Sequence, residues 1–481
     1  MRMPNSEDMS EEQKKIYQLA PLDGSILVTG PPGTGKTVIA FLRADTVNRV
    51  NKNCAVIMFG RVLARFTSNI ADGKYPVTNF HQWINNWWSK MEIGGAIKSP
   101  QNTDKKVYLP SLPFEENYKA KNLMRGKAKN SGYDAYERCW FVWKNIYEEH
   151  EDELKVYTKP KRLAPKITSD EDCYDHDWKE ILKQIIDNSP AKEKVNWGHL
   201  IIDEGQDFNA EMYKSLDMIL EIVFKDTEEK NRPAITVFAD ENQRLFDNNS
   251  TIKEIENRLR INEERHFKLT ENYRNTIQIA RLARTFYTGL QTGIPDLPKR
   301  QGNIPVLYIG SEISDSVNYI KQWAFNHDNE EIGVITSSEK DRDKIYKLLS
   351  KALDKTKNNE IQDHNISLKS YSSRDKELRN TNELLFDQPG VITVLNTASC
   401  KGLEFDTVFL VELQNKSDAD SNIDKFKMDM YVMTSRAREN LFLMLTNSGE
   451  NDPNIMKFLP EEKFDEDLKE GEEILLEYRY E

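Results

Sequence analysis

The chain has 481 residues, 38% hydrophobic and 30% charged, which is too long for one ordinary core and too apolar for a disordered protein; roughly two to four domains are expected. The net charge of −12 argues against a surface that adheres to nucleic acid without selection, although a locally basic channel can sit on an acidic protein. No apolar run approaches the roughly 18 residues of a membrane helix, and "MRMPNSEDMSEEQ" lacks the apolar centre of a signal peptide, so a cytoplasmic protein with no membrane contact is expected.

In chain order, Gln13 in "MSEEQKKIY" opens a helical segment and by itself reads as a surface glutamine. "SILVTGPPGTGKTVIAFLRA" predicts a strand over Ile26–Thr29, a glycine-rich loop and an amphipathic helix. The loop matches G-x-x-x-x-G-K-[ST] as Gly30, Gly35, Lys36 and Thr37, with Pro31, Pro32, Gly33 and Thr34 between. Its glycines let backbone N–H groups turn inward around phosphate oxygens, and the helix offers its positive N-terminus. Lys36 can reach the β- and γ-phosphates of a nucleoside triphosphate, and the Thr37 hydroxyl can ligate Mg²⁺. The cysteines, Cys54, Cys139, Cys173 and Cys400, are scattered with no CxxC pair, which argues against a disulfide framework, a zinc knuckle or an iron–sulfur cluster.

"HLIIDEGQDF" is an apolar strand that ends in Asp203 and Glu204. Carboxylates at the carboxyl end of a buried parallel strand face the crevice where open α/β sheets bind ligands. Asp203 suits Mg²⁺, through water, and Glu204 suits the water that attacks a γ-phosphate. "AITVFADENQRLFDNN" is another strand, and it changes character at Asp240. Gln243 can hydrogen-bond the γ-phosphate or the attacking water, and Phe246 stands alone among polar residues. "NIPVLYIG" and "EIGVITSSEKDRDKIYKLLS" read as strand and strand–helix units. "EEKFDEDLKEGEE", near the end, is mostly carboxylate and reads as a solvated tail ahead of a partner contact.

The ordered series "EEQ", "GPPGTGKT", "FGR", "NFHQW", "IIDEGQDF", "ADENQRLF", "LTENYRN", "KGLEFDTVFL" and "YVMTSRARE" resembles the superfamily 1 helicases of the UvrD/Rep/PcrA type, from Gln13 to about Leu445. The resemblance implies two RecA-like α/β domains, parallel sheets flanked by helices, with ATP and Mg²⁺ between them and single-stranded DNA lying across both. It implies that Gln13 reads the adenine, Tyr273 stacks on it, Arg274 contacts the γ-phosphate and Glu404 binds the ribose. Arg436 would be the arginine finger of the second domain, because a planar, permanently charged fork matches phosphate oxygens. Phe59 and Phe246 match aromatics on which bases stack, and Phe80–His81 match a further DNA-contacting motif. Stacking suits a motor that ignores sequence, since every base has a π-face. Without the resemblance, both Phe59 and Phe246 read as core residues.

The implied domains are 1–86 with 197–275 for the first RecA-like domain, 87–196 for a mainly helical insertion, 276–450 for the second domain and 451–481 for the acidic tail. Basic and aromatic residues interleave in the insertion, in a pattern that can guide nucleic acid, although "CWFVWKNIY" reads better as a helical core. The chain departs from the family in four ways. Asn248 stands where a tryptophan is usual, and Asn396 and Ala398 where Thr and His are usual. Ala239 and Ser435 are milder replacements of Gly and Thr. The interval from Arg274 to Lys401 is too short for the family's second insertion, so a vestige near 351–389 is expected. The expected function is an ATP-driven helicase or translocase moving 3′ to 5′ on single-stranded DNA or at junctions. The alternative is a DNA-stimulated ATPase that senses or regulates within a repair or anti-phage complex. No nuclease motif is recognisable, so any cutting would come from a protein partner. A metabolic phosphotransferase or GTPase would have no use for the second arginine-bearing domain.

Overall fold

The computed structural model describes residues 9–50, 52–58, 60–68, 71, 73–93, 164–165, 176–244, 249–290, 292–354, 366–372, 384–386, 388–416, 422–447, 453–464, 466, 468–469 and 472–481. Phe59, Phe246 and Asn248 lie outside them, as do most of the expected insertion and the "CWFVWKNIY" segment. The chain forms two compact units. Met1–Asn79, His199–Asn209 and Ala234–Glu481 make the first, and Phe80–Gly198 with Ala210–Pro233 make the second.

The first unit holds two open sheets, and every pairing in them is parallel. Helix α1 (Glu11–Leu19) precedes β1 (Ser25–Thr29), followed by α2 (Lys36–Arg49), β2 (Cys54–Met58), α3 (Arg61–Ser68) and β3 (Val77–Asn79). With β4 (His199–Ile202), β5 (Ala234–Ala239) and β6 (His266–Lys268), these strands form the order β3-β2-β4-β5-β1-β6. Strands buried on both faces of a parallel sheet read as unbroken apolar runs, and Ile26, Leu27 and Val28 are fully buried. Thr29 is in register with Ala239 and with Lys268, so β1, β5 and β6 stop at one level. The residues that follow, Gly30, Asp240 and Leu269, therefore share the carboxyl edge.

The second sheet uses β7 (Val306–Gly310), β8 (Ile332–Thr336), β9 (Ser367–Ser370), β10 (Val391–Asn396), β11 (Phe405–Val411), β12 (Ala437–Thr446) and β13 (Glu477–Tyr480), in the order β13-β7-β12-β11-β8-β10-β9. Helices Ile313–Asn326 and Glu339–Ala352 pack on it. The fold class is the expected one: two parallel α/β sheets flanked by helices.

Three expectations change. Strand β9 falls within the supposed vestige, yet it pairs with β10 from Ser367↔Val391 to Ser370↔Val394 as a regular member of the sheet. Residues 355–365 and 373–383 of that interval lie outside the described set. Of the expected tail 451–481, β13 lies along β7 and Ile455, Leu459 and Leu476 are buried, whereas the described residues of the acidic stretch at 461–473 are exposed or half-buried. Glu473 pairs with Arg281. The compact unit expected at 87–196 begins at Phe80 and also takes in Ala210–Pro233.

The described part of the second unit is helical, with helices Phe80–Met91, Trp178–Asn188, Lys192–Val195 and Ala210–Val223. Its core is aromatic. Trp83 and Trp87 stack at 5.5 Å and 7°, Trp197 meets Trp87 edge-on, and the Trp87 indole donates to the Val195 carbonyl at 2.8 Å.

Beneath the first sheet, Arg43 Nε donates to Thr236 Oγ1 at 2.7 Å, and Thr236 Oγ1 lies 2.7 Å from His199 Nε2. The arginine can only donate, so Thr236 Oγ1 accepts from it and meets His199 Nε2 with its proton or its second lone pair. Burial, with Arg43 next, pushes the His199 pKa down to about 3 from 6.5. The unfolded chain therefore binds a proton that the folded chain refuses. This contribution to stability is full above pH 6.5 and is lost as pH falls toward 3, by about 1.4 kcal/mol per unit. His199→Gln should flatten the pH dependence of the urea midpoint between pH 7 and 5. Parallel curves for the two proteins would refute it.

Candidate nucleotide site

The loop after β1 is shaped by backbone that other residues resist. Gly33 and Gly35 take φ of 82° and 83°, in the left-handed region. A Cβ on Gly33 would meet Asn272 Oδ1 at 2.2 Å, and one on Gly35 would meet Gln13 Nε2 at 2.7 Å. The loop is thus wrapped by residues remote in sequence. Gln13 closes a capping box with Ser10 on α1 and donates to the Thr34 carbonyl at 3.1 Å. The Tyr273 N–H donates to the Gly33 carbonyl at 2.9 Å, and the Tyr273 side chain is 48% exposed. Gly30, Pro31, Pro32 and Thr34 complete the loop, and Thr34 Oγ1 donates to the Pro31 carbonyl.

Lys36 is buried, with Nζ on the carbonyls of Gly30 (2.5 Å) and Pro31 (3.0 Å) and 4.0 Å from Asp240. Burial lowers its pKa, against the pull of Asp240, Glu204 and Asp203. Thr37 Oγ1 donates to Asp203 Oδ2 at 2.8 Å. Burial pushes the Asp203 carboxyl up to about 7, helped by the Glu204 charge. Burial also opposes the charge on Glu204, but Lys401 and Lys36 outweigh it and hold that carboxyl below its usual range. Glu204 therefore carries the negative charge of the pair. Its backbone sits in the left-handed region at φ 55°, which turns the chain sharply after β4.

Gln243 is buried in the short turn Glu241–Gln243 after β5 and donates to Asp240 Oδ2 at 2.7 Å. Its Oε1 accepts from Arg436 Nη2 at 2.7 Å. Arg436 is 1% exposed, at the end of helix Ile423–Thr434, and is anchored by the carbonyls of Val432 (2.8 Å) and Leu403 (3.3 Å). Burial brings its pKa down to about 10, where it is still fully charged at neutral pH. Arg274 Nε donates to Glu404 Oε2 at 2.8 Å. The Arg274 and Arg438 charges overcome burial and hold Glu404 down at about 2.

The expected residues Gln13, Gly30–Thr37, Asp203, Glu204, Gln243, Tyr273, Arg274, Glu404 and Arg436 thus form one connected network in the first unit. Lys401, Asp207, Gln206, Asn275 and Arg438 belong to it and were not read from the sequence. Lys401 Nζ donates to both oxygens of Asp207, at 2.7 and 2.6 Å, and to the Gln243 carbonyl, and it lies 3.7 Å from Glu204. Gln206 donates to Glu204 at 2.6 Å and accepts from the Asp240 N–H at 2.8 Å. Asn275 donates to the Ala437 carbonyl at 2.6 Å. The usable signal was Lys401 itself, a lone charge between Cys400 and Gly402 in an apolar setting, which must be paired if buried.

The expected DNA contacts fare differently. Phe59 and Phe246 lie outside the described residues. Phe80 belongs to the second unit, where it is 5% exposed and packs on Trp83, Trp178 and His176. It is a core ring, with no open face for a base, and the physical reason is the aromatic cluster around it. His81 Nδ1 lies 3.3 Å from His176 Nε2. Among the described residues no group of three or more His, Cys, Asp or Glu is placed to hold a metal ion, so the Thr37–Asp203 pair would need further oxygen ligands from a bound phosphate or water.

Residues 13–247 match the family model described as an AAA domain. The stretch spans the phosphate loop, both acids and Gln243, so this chain is similar there to that family. No curated relative matches the chain. Among solved structures, the crystal structure of the C-terminal domain of a possible DNA helicase from Lactobacillus plantarum is 22% identical, over 37% of this chain and 88% of that one, with a TM-score of 0.26. No described helix is long and apolar enough to cross a membrane.

Proposed function

We propose that the chain is an ATP-driven translocase on single-stranded DNA, of the UvrD/Rep/PcrA type, moving 3′ to 5′. The observation that carries this reading is the 2.7 Å bond between Arg436, beside the second sheet, and Gln243, at the edge of the first. A cation supplied by one sheet to the γ-phosphate edge of the other makes hydrolysis depend on how the two are apposed. Their closing and opening then moves whatever strand they grip.

In this reading the Gln13 amide has one N–H and one oxygen lone pair to offer an adenine, since Ser10 and Thr34 already use the others. Tyr273 offers an exposed ring, and Lys36 leaves the loop carbonyls for the β- and γ-phosphates. Glu204, the charged member of the acid pair, takes a proton from the attacking water as Gln243 orients it. Arg274 and Arg436 balance the charge that grows on the γ-phosphoryl oxygens. Thr37 and Asp203 would hold Mg²⁺, whose charge neutralises the phosphate oxygens. Phe59, Phe246 and His81 are the proposed DNA contacts, and a cytoplasmic site of action and a nuclease or repair factor as partner belong to the same reading.

Strand displacement tests the proposal on duplexes with a 3′ or a 5′ single-stranded tail. Unwinding of the 3′-tailed substrate alone is expected. Hydrolysis stimulated by single strands without displacement would favour a sensing or regulatory ATPase, and an ATPase rate indifferent to single-stranded DNA or RNA would sink both.

A further inference from the structure

Glu404 is shared by two arginines, one per oxygen. Oε2 accepts from Arg274 Nε at 2.8 Å, and Oε1 accepts from Arg438 Nη2 at 3.1 Å. The two arginines are held differently. Beyond Glu404, the Arg274 guanidinium has a long contact of 3.4 Å to the Ser435 carbonyl. Arg438 spans Glu404 and Asp406, with Nη1 on Asp406 Oδ1 at 3.0 Å, and Asp406 Oδ2 accepts the Glu331 N–H at 2.9 Å, which ties the arrangement to the start of β8. The Arg438 carbonyl also accepts from Arg300 Nη2 at 2.7 Å.

We propose that Arg438 is a positioning residue for ribose recognition: it fixes Glu404 by one oxygen while Arg274 gives up the other for the triphosphate. The proposal rests on the ATP-hydrolase reading above. When Arg274 turns to the γ-phosphate, Oε2 loses its donor in a largely buried place. A ribose hydroxyl is a donor of the right kind to replace it. A carboxylate held by Arg274 alone would then be free to swing, and it would read the sugar poorly. With Oε1 fixed by Arg438, Oε2 stays aimed at the sugar, so sugar binding and release of Arg274 become one exchange. A nucleotide lacking that hydroxyl leaves the exchange uncompensated.

The test compares ATP, 2′-deoxyATP and 3′-deoxyATP in steady-state hydrolysis by the full chain with single-stranded DNA. For the wild type, at least one deoxy analogue should show a KM about 10-fold above that of ATP, as expected for a lost hydrogen bond to a charged group. In Arg438→Ala this ratio should fall below about 3, with KM for ATP rising more than kcat falls. Glu404→Gln should collapse the ratio too, and the double variant should lose no further discrimination. Arg438→Lys serves if the alanine form does not fold, because one ammonium cannot hold Glu404 and Asp406 as the fork does, so its ratio must also drop. An unchanged ratio in a folded Arg438 variant, or no discrimination by the wild type, overturns the proposal while leaving the ATPase reading standing. Absence of any ATP hydrolysis by the wild type would fell that reading, and this one with it.

Discussion

Replacing Arg436 by alanine should lower ATP turnover by about 10³-fold or more, the scale on which arginine fingers act on phosphoryl transfer. The side chain makes four hydrogen-bonded contacts, to Val432, Leu403, Ser435 and Gln243, and only the last crosses between the two sheets. Alanine takes the guanidinium from the Leu403 carbonyl, while the Val432 carbonyl keeps the Ser435 hydroxyl at 2.9 Å, so some loss of stability accompanies the change. Arg436→Lys separates the two effects. It keeps a charge and can hold one carbonyl, but it cannot hold Gln243 and a phosphate oxygen together. Turnover should therefore remain depressed in the lysine variant, with binding of a fluorescent ATP analogue within a few fold of wild type. Ordinary turnover in either variant would show that Arg436 is no finger.

Lys36→Ala should bring hydrolysis below about 1% of wild type, as loss of a preorganised charge at a transferring phosphoryl group does. Its effect on the empty protein is a separate question. Burial already lowers the Lys36 pKa, and the ammonium rests on loop carbonyls beside Asp240. Removing it takes away a costly buried charge and also the partner of several carboxylates, so the melting temperature without nucleotide should move little. The contrast lies in the response to a non-hydrolysable ATP analogue. A ligand that binds only the folded chain raises the melting temperature with concentration, and the variant should lose most of that rise. A full thermal shift in Lys36→Ala would mean that the lysine does not contact the phosphates.

The parts of the site that were legible in the sequence are those whose partners are close in the chain. The phosphate loop announces itself because strand, glycines, lysine and helix are contiguous, and Asp203–Glu204 because they end an apolar strand. Lys401 is different. Its partner Asp207 lies 194 residues away, and only the folded chain brings them together. Arg438 and Asn275 were hidden for the same reason, since neither residue's neighbours hint at Glu404 or at the Ala437 carbonyl. Among the strands not read from the sequence, two have a further cause. "SLKS" and "EYRY" lie at the two edges of the second sheet and carry polar, partly exposed side chains, so they show no apolar run. Phe80 failed in the opposite direction. A motif position suggested an exposed platform, while Trp83 packs on it from one turn along the same helix and Trp178 from a helix far off in sequence.

Strand β4 has a consequence for which segments of the chain the site depends on. The stretch His199–Asn209 leaves one compact unit, gives the other a strand with its acid pair, Gln206 and Asp207, and returns. The carboxylates are thus threaded between two segments of a different body. The cation that meets them comes from Lys401, and the guanidinium that meets Gln243 comes later still. No contiguous segment short of nearly the whole chain brings all of these groups together. Any replacement made within the second unit must therefore leave both junctions with His199–Asn209 intact.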